Sequence, residues 1–456
     1  MKAPSLLMTI TLTAAANPSL ADGPVRPAFG DLADRKPGEA LAIARAYEVA
    51  LPANPSLLEP ADWRDRVWRE DRFYLHANGR IEARSVRDGG PAWRQPAPSR
   101  ALPALLGSRG RVLIFASPYE VMGLGYDDGA PAWKLGDFPA VADAPHVDPE
   151  WIRAWKHHAL SDSRLFSASD RDELICTEVD TGRTCWRVPT PERVSSDLVA
   201  NEAYCAYLTR RGGRTDIVIR RAADGRVEHT LRPPDRQSVQ ALYLAPDGSL
   251  IAIAFGELLS YEPKTGRLKW RAASAARWLP ASIDFGEGLL VGLTSDGRMC
   301  AVDLASGRTM WQSDPPEAAG VTPGWLAIRD AMVFRVAGRA IQVLAASDGE
   351  EIVRRSGAAV AGDADPPQQP VFLHDGFVLA SMSSGSGPIP DGRQRTLHVS
   401  LMAHPLERGR TPLFQSVELG PFRQPRAIVI RNGGVVVVDG RSLIGYVPTT
   451  ASRPAG

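Results

Sequence analysis

Donors suited to a divalent cation crowd one short stretch of this chain. Asp143, His146, Asp148 and Glu150 lie close together, and His157 and His158 follow within one more turn of sequence. Imidazole nitrogens and carboxylate oxygens are what zinc and related ions take. The four share their segment with prolines and lack a recognised ligand spacing, so a solvated loop is expected there, and no metal. Ser383-Ser384-Gly385-Ser386-Gly387 approaches the Gly-x-Ser-x-Gly nucleophile elbow without meeting it. Its low complexity and lack of a strand-to-helix context mark it as a loop. Neither a Cys-x-x-Cys-His haem site, a calcium-loop pattern nor a Gly-rich phosphate loop occurs. No catalytic residue is therefore assigned.

The four cysteines are Cys176, Cys185, Cys205 and Cys300. In an oxidising compartment they admit three pairings. Cys176 and Cys185 flank the turn Asp180-Thr181-Gly182-Arg183 on neighbouring strands and are the first candidates to pair; buried free thiols are the equal alternative. For molecular recognition the richest composition is Trp151-Ile152-Arg153-Ala154-Trp155-Lys156-His157-His158. Trp and Arg are enriched at binding hot spots, which makes Trp151, Arg153 and Trp155 the candidate contact residues, set against the reading that one Trp packs into the core.

Composition bounds the partners. With 44% hydrophobic and 23% charged residues the chain reads as globular, and a formal charge of +1 gives no electrostatic reason to bind nucleic acid. Lys2, the apolar run Leu6 to Ala16, and small residues at Ser19 and Ala21 form a signal-peptide pattern, cleaved near Ala21. The run is half the roughly 20 residues a transmembrane helix needs, so export without a membrane span is expected. No cysteine precedes Cys176, so no lipid anchor is expected at the cleavage site.

A repeat must position whatever site exists. Asp180-Thr181-Gly182-Arg183-Thr184-Cys185-Trp186, Lys264-Thr265-Gly266-Arg267-Leu268-Lys269-Trp270 and Ser306-Gly307-Arg308-Thr309-Met310-Trp311 each place Trp four residues after Gly, and weaker copies end in Trp93 and Trp133. Spacings are 40 residues from Trp93 to Trp133, 53 from Trp133 to Trp186 and 41 from Trp270 to Trp311, and 84, two periods of 42, between Trp186 and Trp270, where Asp224-Gly225-Arg226 supplies a hidden copy with His229 in the Trp position. Gly182, Gly266 and Gly307 suit a turn with positive φ. The Trp side chains are expected to cover the apolar face between successive units. Two apolar runs joined by a tight polar link precede each turn, as in 289–304, and a further run completes four strands per period. Four antiparallel strands in about 40 to 45 residues make a β-propeller blade, and an all-β fold follows.

The stretch 297–311 resembles the repeat of pyrroloquinoline-quinone (PQQ)-type propellers, in which a Gly turn leads through an Ala-Leu-Asp strand to a Thr-Gly turn and a Trp. Within that group the nearest kind is the BamB-like scaffold of outer-membrane protein assembly. The resemblance implies eight blades, although nine hairpin-like pairs can be marked between 73 and 447, and seven or nine blades stay open. It allows two functions. A quinoprotein dehydrogenase would need PQQ, a calcium ion with acidic ligands, and a vicinal Cys-Cys pair, which this sequence lacks. A scaffold needs none of these, and a propeller holding a small ligand or polysaccharide in its channel is the further alternative. The expected organisation is a signal peptide at 1–21, an N-terminal segment at 22–70, a propeller at 71–448 and a tail at 449–456. Within it, 45–51 could supply a ring-closing outer strand, and 363–370 and 381–395 read as loops. The protein is expected to be a monomeric periplasmic scaffold for envelope proteins, with no cofactor.

Overall fold

The computed structural model describes the strands and most of the turns between Ile43 and Pro448; residues 1–42, 136–154, 315–324, 357–371, 386–396, 406–414, 449–456 and several shorter loops lie outside the described part. Among the described residues the chain forms nine four-stranded antiparallel sheets. Eight are built from consecutive strands, at 56–96, 104–135, 155–189, 199–231, 239–273, 278–312, 325–356 and 372–422. We call these blades one to eight.

The ninth blade joins the two ends of the described chain. Its strands Pro425–Arg431, Gly434–Asp439 and Ser442–Pro448 are completed by Ile43–Ala50, which runs antiparallel to Ser442–Pro448 from Ile43↔Pro448 to Ala50↔Ser442. A ring closed in this way leaves no sheet open at the chain ends. The first blade takes its first strand from Ser56–Leu58, so the propeller reaches ahead of residue 71.

Burial follows strand position. In the second blade Val112–Ala116 is buried throughout, whereas the fourth strand Pro131–Leu135 buries only Trp133 fully. The second strand, as in Val112–Ala116 and Leu250–Ala254, is buried on both faces and reads as a continuous apolar run; the fourth has one face in water and alternates. Core clusters therefore lie between blades. Val436, Val438 and Leu443 of the ninth meet Phe73, Leu75 and Val86 of the first, and Tyr74 and Ile81 of the first meet Phe115 and Tyr126 of the second. The same pattern continues from each blade to the next as far as the seventh. This is a β-propeller.

Two readings of the sequence change. The nine sheets equal the nine hairpin-like pairs and exceed by one the eight blades that the resemblance implies, because the last hairpin is a full blade once the N-terminal strand joins it. The stretch 381–395 is not a loop from its start: Phe377–Gly385 is one strand, paired with Leu397–Pro405 from Phe377↔Pro405 to Gly385↔Leu397. Its Ser and Gly residues disguised the strand because they weaken β-propensity without forbidding the extended backbone. Residues 363–370 lie outside the described part.

Candidate functional site

The repeat residues make one contact over and over. On the fourth strand of a blade the Trp indole N–H donates to a backbone carbonyl in the next blade's turn. Trp186 reaches Ala222 O at 2.8 Å, Trp270 reaches Leu304 O at 2.8 Å, Trp311 reaches Ala346 O at 2.7 Å and Trp93 reaches Tyr126 O at 3.3 Å. Trp133 bonds Val179 O in the same manner. Three residues beyond each acceptor sits a glycine, Gly129, Gly182, Gly225, Gly307 or Gly349, and the face of the ring lies on it. A Cβ on Gly307, for instance, would stand 2.6 Å from Trp270 Cδ2. Gly266 receives His229 instead, whose Nε2 lies 2.9 Å from Lys264 O.

A β-bulge aims each ring. Between the third and fourth strands the register slips by one residue just before the Trp, so that Ala92, Ala132, Cys185, Glu228, Lys269 and Met310 are the extra residues in blades one to six. Bulges bend a strand and turn its side chains. The closing strand has the same slip at Ala46 and places Tyr47 opposite Gly445. Tyr47 lies on Gly89 and its hydroxyl donates to Val86 O at 2.7 Å. It therefore takes the Trp position at the ring closure, a role the sequence hid because no Gly turn precedes it.

Of the residues singled out for contact, Trp155 opens the first strand of the third blade, Trp155–Leu160, and pairs with Ser169. Trp151 and Arg153 lie outside the described residues, as do Asp143, His146, Asp148 and Glu150. The described residues contain no group of three or more His, Cys, Asp or Glu placed to hold a metal ion. His158 points into the third blade, fully buried, with Nδ1 2.9 Å from Ser167 Oγ.

Burial, with a smaller contribution from the neighbouring His157, pushes the His158 pKa down to about 3. An unfolded histidine takes up its proton near pH 6.5, which the folded site refuses until about pH 3. The stability it confers is complete above pH 6.5 and drains away as pH falls toward 3, by about 1.4 kcal/mol per pH unit. Urea titrations at pH 7 and pH 5 should show this loss in the wild type, and His158→Asn should remove most of it. An equal pH dependence in the variant would assign the effect elsewhere.

Three arginines, Arg84, Arg220 and Arg335, are buried among the described residues, and Arg84 and Arg220 bind the docking turns in a way that was not legible in the sequence. Arg84 donates to Glu82 at 2.8 Å and to Gly89 O at 2.8 Å; Arg220 donates to Tyr207 Oη at 2.8 Å and to Gly225 O at 2.8 Å. Both hold the carbonyl of a docking glycine from behind. Each lies on a third strand among apolar residues, where a charged residue reads as a solvated face.

Comparison with known proteins bears on what this frame belongs to. A family model described as outer membrane protein assembly factor BamB, of PQQ-like repeats, matches residues 143–245 and 237–442. The chain belongs to this family. A search of the curated proteins finds no match. Among solved structures, BamB from Moraxella catarrhalis is similar at 13% identity over 75% of this chain and 97% of the other, with a TM-score of 0.45. A computationally designed protein, Ika8, is similar at 14% identity over 76% and 97%, with a TM-score of 0.49. The BamB-family match starts within the third repeat, yet the docking of Trp93 on Gly129 and of Trp133 on Gly182 repeats the pattern ahead of it.

Among the described residues no helix is long and apolar enough to cross a membrane.

Proposed function

We propose that the protein is an exported, non-catalytic scaffold of the bacterial envelope that binds other envelope proteins and takes part in outer-membrane protein assembly. The observation that carries this reading is the BamB-family match across 143–442. The signal-peptide pattern ending near Ala21 supports export to the periplasm. A frame in which blades one to six are each locked to the next and the ninth to the first presents its loops rigidly, and binding residues concentrate on such loops. On this reading the contact surface is Trp151, Arg153 and Trp155, the protein works as a monomer, and it needs no PQQ.

Capture from a detergent-solubilised bacterial envelope tests it. The wild-type protein should enrich β-barrel assembly components. Replacing Trp151, Arg153 and Trp155 together by Ala should abolish that enrichment with the melting temperature unchanged. Recovery of no assembly component, or stoichiometric quinone absorbance with dye-linked oxidation after adding PQQ and calcium, would overturn the scaffold. An unfolded triple variant would make those residues core and the contact surface wrong.

A further inference from the structure

Cys185 is unlike the other bulge residues. At the same slip in neighbouring blades stand Ala132, Glu228 and Lys269, none of which can form a disulfide. Here the register pairs Cys176 with Trp186 and leaves Cys185, the extra residue, next to that pair, with the two cysteine side chains in hydrogen-bond contact. A disulfide takes Cα atoms roughly 4.4–6.8 Å apart, a separation within reach of neighbouring residues on adjacent strands, which lie about 4.8 Å apart. Cys185 is exposed and Cys176 is fully buried in the cluster that includes Phe166, Cys205 and Tyr207. The structure carries all four cysteines as thiols.

We propose that Cys176 and Cys185 form a disulfide that locks the third blade's bulge beneath Trp186. The exposed Cys185 thiolate attacks a disulfide oxidant, forming a mixed disulfide and releasing one thiol. The Cys176 sulfur then gives up its proton to solvent and attacks Cys185 Sγ, and the second oxidant thiol leaves. Two protein thiols are oxidised and one oxidant disulfide is reduced to two thiols, so the exchange balances. Burial first, and then contact with Cys185, raises the Cys176 thiol far above its ordinary range, so the second step is the slow one and quickens with rising pH. Cys205 and Cys300 are both buried, and burial pushes their thiols up to about 12 and about 11, which leaves Cys185 as the thiol through which an oxidant enters. The bond depends on the register of the third blade and not on whether the protein is a scaffold.

Purified full-length protein, reduced and then held with oxidised glutathione at pH 8, provides the test. Cleavage after Arg183 separates the two cysteines, so a tryptic species joining 172–183 to 184–187 appears only if they are bonded, and it should vanish on reduction. Alkylation under denaturing conditions should then count two thiols, those of Cys205 and Cys300. Cys185→Ser should abolish the linked species, and Cys300→Ser should retain it. Four remaining thiols, a glutathione adduct that stays on Cys185, or a Cys176–Cys205 link would each overturn the proposal.

Discussion

Replacing Trp270 by Ala is expected to lower the unfolding free energy by about 3–5 kcal/mol, the usual cost of emptying a Trp-sized site in a packed interior. The ring is 8% exposed, belongs to the cluster shared by the fifth and sixth blades, and satisfies Leu304 O. Truncation thus opens a cavity and strands a buried carbonyl together, and both act in the same direction. Gly307→Ala approaches the same contact from the other side. Its φ of 73° is left-handed, which costs a residue with a Cβ about 1–2 kcal/mol, and that Cβ would stand 2.6 Å from Trp270 Cδ2. Gly248 separates the two effects. Its φ is 81° and nothing lies within 4 Å of its would-be Cβ, so Gly248→Ala carries the conformational cost alone.

Denaturant titration should therefore rank Trp270→Ala as most damaging, Gly307→Ala next and Gly248→Ala least. In the double variant, Gly307→Ala on top of Trp270→Ala should cost no more than Gly248→Ala does, because the ring it strikes is gone. Residues in direct contact are where such additivity fails. Strict additivity of the two changes would mean that Trp270 and Gly307 are not one docking unit.

That unit is also what made the fold readable. A Trp four residues after a Gly, recurring at a near-constant interval, is visible in the sequence because turn and ring belong to the same blade. What the ring touches is not, since Trp270 meets Gly307 of the following blade and only the period hints at it. His229 could be placed by the interval together with the turn Asp224-Gly225-Arg226, and it docks on Gly266. Arg84 and Arg220 escaped because the alternation that marks strands cannot show that a guanidinium is caged by turn carbonyls. The short first strands, Ser56–Leu58 and Val199–Ala200, offer too few residues for a period-two pattern. Trp155 was legible as an unusual residue, but the sequence could not distinguish a strand position from a loop. The proposed contact residues Trp151, Arg153 and Trp155 belong to no repeated motif, and so composition was their sole signal.

The ring closure yields the other large effect. Removing residues 1–50 should make the protein self-associate, whereas removing 1–42 should not. The first deletion takes away one of the two partners of Ser442–Pro448 and leaves that strand's outer edge unpaired, and an open, apolar edge of this kind templates pairing with other chains. It also uncovers Phe73 and Val86 of the first blade, which the cluster with Tyr47 and Val49 now covers. Tyr47 concentrates the effect in one side chain. Tyr47→Phe keeps the ring on Gly89 and forfeits only the hydroxyl's bond to Val86 O, about 1 kcal/mol. Tyr47→Ala loses both and should approach the cost of Trp270→Ala. Tyr47→Trp tests equivalence with the internal blades, because an indole reaches a turn carbonyl from the same position five times over in this chain. It should be better tolerated than Ala, since the ring is retained. Sedimentation and thermal melts read these outcomes directly. A monomeric 51–456 protein that melts with the full chain would show that Ile43–Ala50 does not close the ring in solution.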